Sequence, residues 1–167
     1  MIFNKKHNTD LYNTLLGLSR NIYFYKNLKL PDKFETRVYL MFIHFSIILI
    51  IFKNKSVEFN QKIYDSLFNN IENNLRELGF GDVSVNKKMK DLNKLFYDIL
   101  LKINKSNNNQ FIINEKTFSK YFNNDNVLNP SELKLFTEYF NNFYNFCFEL
   151  SLDNMVRDAG KFNYGST

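Results

Sequence analysis

The side chains that could carry out catalysis or bind a metal are few and widely separated in this sequence. The chain has two histidines, His7 and His44, and one cysteine, Cys147, which are too few for a metal site built from these ligands. No phosphate-binding loop, dinucleotide-binding glycine motif, HExxH helix or CxxC pair occurs, and the carboxylates form no recognisable catalytic pair. The sequence therefore predicts no catalytic residues, no metal, no cofactor and no enzyme activity.

His44 and Cys147 both fall among apolar residues. His44 lies within the run VYLMFIHFSIILIIF at residues 38–52, and Cys147 lies on a stripe of apolar residues spaced by three and four. We therefore interpret His44 as a packing histidine and Cys147 as a buried, unreactive thiol.

The turn formed by Gly79, Phe80, Gly81 and Asp82 is the most informative polar feature. Two glycines so close together predict a tight corner between two helices, with an unusual backbone angle at each glycine. One interpretation gives this corner a structural role alone, and the other makes it a surface for a partner. The charged residues that would form such a surface are Arg76, Glu77 and Asp82, together with Lys87, Lys88 and Lys90.

The charge of the chain bears on the kind of partner. A formal net charge of +5 and a pI of 9.1 favour acidic partners such as RNA, a ribosome surface or anionic lipid. The abundance of Lys, Asn and Ile is also typical of AT-biased coding, so the lysines could be ordinary solvated surface. Since the lysine face has no aromatic residues at a spacing useful for stacking on bases, sequence-specific nucleic-acid binding is not predicted.

The apolar run at residues 38–52 must organise the fold that positions these residues. It is apolar on every helical face, which is typical of a helix buried in a core or of one that crosses a membrane. As a helix it would rise about 22 Å, less than the roughly 30 Å of a bilayer core. A buried core helix is the favoured interpretation, and a membrane-inserted segment and a central strand remain the alternatives.

Helical periodicity dominates the rest of the chain. We predict a first helix from Thr9 or Asp10 to about residue 20, a short aromatic turn within 22–30, and a central helix from Lys33 that Asp32 caps. Further helices are expected after a Ser56 cap, after Asp82, within 116–122, and after the cap formed by Asn129 and Pro130, with a polar loop at 105–110.

The predicted fold is a single-domain, all-α bundle of six or seven helices around the buried central helix. Residues 1–8 are expected to form a flexible basic arm, 9–158 the helical domain, and 159–167 a frayed tail. The single cysteine suits a reducing compartment, and the N-terminal residues carry no export or transit signal.

Two groups of residues resemble the ubiquinol–cytochrome c chaperone family. The first is LRELGFGDVSV at 75–85, followed by KKMK at 87–90 and Phe96-Tyr97. The second lies upstream and has the same order and spacing as in the family. It comprises Tyr12, Ser19-Arg20-Asn21, Phe24-Tyr25, Leu30-Pro31-Asp32, Arg37, His44, Asp65 and Leu67-Phe68. The resemblance extends over residues 11–103.

This resemblance implies an α-helical, non-enzymatic chaperone that holds newly made cytochrome b before haem insertion and assembly of the bc1 complex (complex III). It also implies a small partner protein, contact with the ribosome, and a location in the cytoplasm or mitochondrial matrix, peripheral at the inner face of the respiratory membrane. The aromatic segment 22–30 is our candidate for the lip of a client groove. The candidate partner-binding residues are Arg20, Phe24, Tyr25, Asp32, Arg37, Arg76, Glu77, Gly79, Gly81, Asp82, Lys87, Lys88, Lys90 and Tyr97.

Two other functions remain open. The protein could be a membrane-surface or ribosome adaptor that works through Lys87, Lys88, Lys90 and Lys94. It could instead be a small helical domain that binds a lipid or a quinone in a cavity beside residues 38–52.

Overall fold

The structure, a computed structural model, describes residues 10–103 and 128–165, and every regular element in these ranges is helical. In chain order the helices are α1 (Asp10–Ser19), α2 (Ile22–Lys26), α3 (Phe34–Asn54), α4 (Gln61–Glu77), α5 (Asp82–Ile103), α6 (Pro130–Phe148) and α7 (Met155–Asp158). A 3₁₀ turn, Ala159–Lys161, follows α7. The all-α prediction is confirmed. Three predictions concern residues outside the described ranges: the arm 1–8, the loop 105–110 and the helix 116–122.

Helix α3 is the centre of the bundle. It packs against α1, α5 and α6, and nearly all of its side chains from Val38 to Phe52 are buried. By length and composition alone α3 could cross a membrane, but most of its apolar surface is covered by the other described helices. The burial of α3 confirms the core-helix interpretation, and the segment is a helix and not the alternative strand.

The start of α3 differs from the prediction. Its N-cap is Lys33, which makes no capping hydrogen bond through its side chain. Asp32 does not cap the helix, because its Oδ1 instead accepts a hydrogen bond of 2.7 Å from Arg37 Nη1. The carboxylate thus holds an arginine of the first turns of α3.

The connection from α3 to α4 was also predicted wrongly at Ser56. This residue has a φ of 58° and closes α3, with the amides of Ser56 and Val57 donating to the carbonyl oxygens of Lys53 and Phe52. Asn60 is the true cap of α4, and its Oδ1 accepts from the amides of Lys62 and Ile63 at 2.9 and 3.2 Å.

The corner between α4 and α5 uses only one of its two glycines for an unusual angle. Gly79 has a φ of 96°, and the next amide, of Phe80, donates to the carbonyl of Leu75 at 3.3 Å. Gly81 is not in the left-handed region, so the prediction of a second special angle there is wrong. It precedes α5, and its carbonyl accepts from the amide of Val85 at 2.9 Å.

Helix α6 begins as predicted, with Asn129 as the N-cap and Pro130 as the first helical residue, and Asn129 and Glu132 form a reciprocal capping box. Its aromatic residues pack on α3. The segment after α7 is not frayed over residues 159–165: Ala159 is fully buried, and Phe162 and Tyr164 contact the ring of Tyr139 at 5.3 and 5.4 Å. The rings of this segment complete the aromatic core, which explains the difference.

Candidate functional site

The buried histidine has all its hydrogen bonds made inside the core. His44 is fully buried, with Nδ1 2.6 Å from the Leu40 carbonyl oxygen and Nε2 2.8 Å from the Tyr139 hydroxyl. Because a carbonyl can only accept, Nδ1 carries the proton and Nε2 accepts from Tyr139. Burial lowers the pKa of His44 to about 3, so the ring stays neutral. The geometry agrees with a packing histidine.

Cys147 has no feature of a reactive cysteine. Its side chain is fully buried, and burial raises the pKa of the thiol to about 12. Within the described residues, no group of three or more His, Cys, Asp or Glu side chains is placed to hold a metal ion. Candidate sites must therefore be sought on the surface.

A first surface groove, of about 420 Å³, lies between α1, the start of α3 and the end of α4. We call it the arginine groove because Arg20 and Arg37 line it, together with Glu77. Its other lining residues are Tyr12, Leu16, Phe34, Val38, Met41, Ile71, Asn74 and Leu78.

A second groove, of about 490 Å³, lies between the start of α3, the glycine corner and α5. We call it the apolar groove because apolar and aromatic side chains form most of its wall. These residues are Phe34, Tyr39, Leu75, Leu78, Phe80, Leu92 and Leu95, and the charged residues among them are Glu35, Lys88 and Asp91. Since Phe34 and Leu78 line both grooves, the two form one continuous recessed surface around the corner.

Hydrogen bonds fix the charged wall of the arginine groove. Arg37 is held by Asp32, and the Tyr25 hydroxyl donates to the Ser19 carbonyl at 2.7 Å at the end of α1, next to Arg20. Burial raises the pKa of Tyr25 to about 12, and the nearby Asp32 carboxylate adds to the shift. The phenol therefore stays a donor and tethers α2 to the end of α1.

Salt bridges and a cation–π contact stabilise the glycine corner. Arg76 pairs with Asp82 across the turn and with Glu72 at 3.4 Å, and the hydrogen bond to Asp82 raises the pKa of the guanidinium. Lys88 Nζ lies 4.6 Å from the centre of the Phe80 ring. These contacts hold Phe80 at the edge of the apolar groove.

The structure brings some of the predicted partner-binding residues together and separates others. Arg20, Arg37 and Glu77 share the arginine groove, and Lys88 lines the apolar groove. The remaining lysines Lys87 and Lys90 point outward from α5, on the same face as Tyr97.

The aromatic segment 22–30 does not form a groove lip. Phe24 is fully buried against the rings of His44 and Phe140, at 6.0 Å from each. The segment turns its rings inward because α6, far away in sequence, packs beside it. Phe24 is therefore a core residue in this structure.

The sequence did not predict that the apolar residues Leu78 and Phe80 at the glycine corner are exposed to solvent. The apolar spacing of α4 predicts that Leu78 is buried with Ile71 and Leu75, yet Leu78 is 59% exposed because α4 ends one residue earlier. Phe80 is 39% exposed. The available signal was Gly79, since a C-terminal glycine places the preceding residue at the cap and turns it off the helical stripe.

A third groove, of about 680 Å³, lies elsewhere, where the start of α1, the loop after α3 and the residues before α7 meet. None of the predicted partner-binding residues lines it. The surface around the corner therefore holds the sequence candidates that the fold brings together.

A comparison with models of protein families shows to which family the chain belongs. The model of the family described as "Ubiquinol-cytochrome C chaperone" matches residues 26–111, just over half of the 167 residues. The chain belongs to the ubiquinol–cytochrome c chaperone family. Every residue that lines the apolar groove falls within the matched range.

The fold is also similar to that of a solved structure, the Cbp3 homologue from Brucella abortus. The two share 24% sequence identity and a TM-score of 0.68, over 98% of this chain and 91% of the other. At this identity the similarity establishes the shared fold. A search of curated proteins gave no match.

Proposed function

We propose that this protein is a non-enzymatic assembly chaperone that holds newly made cytochrome b of the respiratory bc1 complex. Membership of the ubiquinol–cytochrome c chaperone family is the observation that carries the proposal. A chaperone of this kind needs a surface that accepts a client and no catalytic centre. The buried, hydrogen-bonded His44 and the buried Cys147 are consistent with that requirement.

The client site in this proposal is the recessed surface around the glycine corner. A newly made membrane protein exposes apolar segments that need shelter from water until they are inserted. The apolar groove offers side chains of Leu78 and Phe80 that water now contacts, and covering them releases that water. A helix lying in such a groove would place its apolar face against these residues.

Contacts with a small partner protein and with the ribosome belong to the same proposal, as does a location in the cytoplasm or its mitochondrial equivalent, at the inner face of the respiratory membrane. The net charge of +5 supports contact with acidic surfaces, and the single buried cysteine is compatible with a reducing compartment.

The test combines deletion of the gene with complementation. Deletion is expected to lower cytochrome b accumulation and bc1 activity, and the intact gene to restore both. The variant Leu78→Ser/Phe80→Ser should fail to restore them while its circular dichroism stays unchanged, because both side chains are at the surface.

The matched control is Ile22→Ser/Leu135→Ser, which removes two exposed apolar side chains away from the corner. This control should complement fully. Normal cytochrome b in the deletion strain would refute the function. Full complementation by Leu78→Ser/Phe80→Ser would refute the proposed client site but not the proposed function.

A second function is favoured by the outer face of α5. Three lysines, Lys87, Lys90 and Lys94, lie on this face. Val83 precedes them and Tyr97 and Leu101 follow them, and these three residues are 86, 55 and 71% exposed. A basic helix face that also exposes apolar side chains is typical of helices that lie on anionic membranes. We propose such a surface-binding role as the alternative to client holding.

Sedimentation with vesicles tests this alternative. Binding to vesicles that contain anionic lipid is expected, with loss in moderate salt and in Lys87→Gln/Lys90→Gln/Lys94→Gln. The control Lys26→Gln/Lys62→Gln/Lys134→Gln removes the same charge from other exposed positions and should bind as the unaltered protein does. An equal loss of vesicle binding in both variants would show that net charge alone causes the binding. Binding to ribosomes but not to vesicles would contradict the membrane role and indicate a ribosomal one.

A further inference from the structure

The charges around the apolar groove differ from those of the protein as a whole. The chain carries a net charge of +5, yet this groove is lined by two carboxylates, Glu35 and Asp91, and by one ammonium, Lys88. The carboxylates belong to different walls, because Glu35 lies in the first turn of α3 and Asp91 lies on α5. Both side chains are exposed to solvent.

Neither carboxylate is neutralised by a salt bridge within the described residues, where the acidic partners in such pairs are Asp32, Glu72, Asp82, Asp98 and Asp158. Lys88 also lines the groove, but it forms no salt bridge with either carboxylate, and its ammonium lies over the Phe80 ring at 4.6 Å. The lining therefore carries two negative charges and one positive charge, a net charge of −1, which attracts a cation and repels an anion near the two carboxylates.

We propose that the apolar groove selects apolar segments that carry Lys or Arg at one end. The apolar part would cover Leu78 and Phe80, and the basic side chain would lie between Glu35 and Asp91. Membrane-spanning segments have this chemistry at the end that stays on the cytoplasmic side, where Lys and Arg are in excess. The inference rests on the proposed client-holding function and names which end of a client segment the groove receives.

Binding of labelled peptides to the full chain tests this selection. The probes are helix-forming apolar peptides of about twelve residues, identical except for a terminal pair of Lys, Gln or Glu, and fluorescence anisotropy reports their affinity. The Lys-ended peptide is expected to bind about three- to tenfold more tightly than the Gln-ended one, since each exposed charge pair contributes up to roughly 1 kcal/mol. The Glu-ended peptide should bind most weakly, and about 0.5 M NaCl should reduce the differences.

Variants assign the preference to the groove. Glu35→Gln/Asp91→Asn should bind the Lys-ended and Gln-ended peptides equally well. The control Asp65→Asn/Glu149→Gln removes the same charge from exposed positions outside the groove and should keep the preference. A preference unchanged in the groove variant would overturn the inference, as would equal binding of all three peptides to the unaltered protein.

The two proposals fail in different ways. If the Gln-ended peptide binds as well as the Lys-ended one and Leu78→Ser/Phe80→Ser abolishes both, the groove holds apolar segments but the charge selection is wrong. If no peptide binds the unaltered protein and Leu78→Ser/Phe80→Ser complements a deletion strain, the groove is not the client site.

Discussion

The middle of α3 and its first turns contain similar side chains but have opposite surroundings. In the middle, His44 is enclosed by Phe140 and Phe143 of α6, with ring centres 4.9 and 4.8 Å away. At the first turns, Phe34 and Tyr39 are only partly buried and line an open groove. The other helices cover the first region completely, whereas the second stays partly exposed to solvent.

This difference separates stability from binding. Core rings are fully buried and close-packed, so their removal leaves cavities that the surroundings fill only in part. Corner side chains contact water on one side already, so their removal changes little in the folded state. Substitutions in the two regions should therefore have very different effects on the free energy of unfolding.

Phe140→Ala should have the largest effect. The Phe140 ring is fully buried and lies 4.8 Å from that of Tyr139 and 4.9 Å from that of Phe136. We expect a loss of about 3–5 kcal/mol in the free energy of unfolding, measured by urea denaturation.

The control is Phe148→Ala, on the same helix, where the ring is 40% exposed. Its loss should be well below that of Phe140→Ala. Equal losses would mean that burial does not distinguish the two positions and would break the comparison.

The second prediction concerns pH and His44. The folded-state pKa is lowered to about 3 by burial, whereas the unfolded chain takes up the proton near the ordinary value of 6.5. Between these two values the unfolded state binds the extra proton. The stability contribution is therefore complete above pH 6.5 and falls by about 1.4 kcal/mol per unit as the pH drops toward 3.

His44→Gln isolates this contribution, because other titrating groups remain the same in both proteins. The variant should show a shallower fall of the free energy of unfolding with decreasing pH below 6.5. Parallel pH profiles for the two proteins would contradict a neutral, buried histidine.

The third prediction uses one substitution at two neighbouring glycines. Gly79→Ser should cost about 1–2 kcal/mol, because serine is strained in the left-handed region, where Gly79 has a φ of 96°. Gly81→Ser should be close to neutral, since Gly81 has no positive φ, has open space around its Cα, and precedes α5 at a position that suits serine. Thermal denaturation of both variants checks the difference, and a larger loss at Gly81 would contradict the geometry.

Local patterns were sufficient to predict most of the helical fold. The uniform apolar run of α3, the stripe of α5 and the Asn129-Pro130 start of α6 each carry their signal within a few residues of sequence. The caps predicted at Asp32 and Ser56 were wrong because each residue makes a different local interaction. Asp32 pairs with Arg37, and Ser56 adopts a positive φ that closes α3.

The site was predicted less well than the fold, because the packing between helices decides which residues lie together. Arg20 follows the end of α1, Arg37 lies on α3 and Glu77 ends α4, and only the packing of these helices brings the three residues to one groove. Ring density alone could not tell the inward-facing Phe24 from the outward-facing Phe80, because the covering residues of α6 are more than a hundred positions away from Phe24.

The smallest effect on stability is expected for Leu78→Ser. Leu78 is 59% exposed, whereas Leu75, one turn earlier in the chain, is 1% exposed. Leu78→Ser should change the free energy of unfolding by less than about 0.5 kcal/mol, while Leu75→Ser should cost roughly 2–5 kcal/mol through the cavity it leaves. Urea denaturation of the two variants compares the same substitution inside and outside the bundle. If Leu78→Ser were as costly as Leu75→Ser, the corner would be part of the core, and an exposed apolar surface reserved for a client would have no basis.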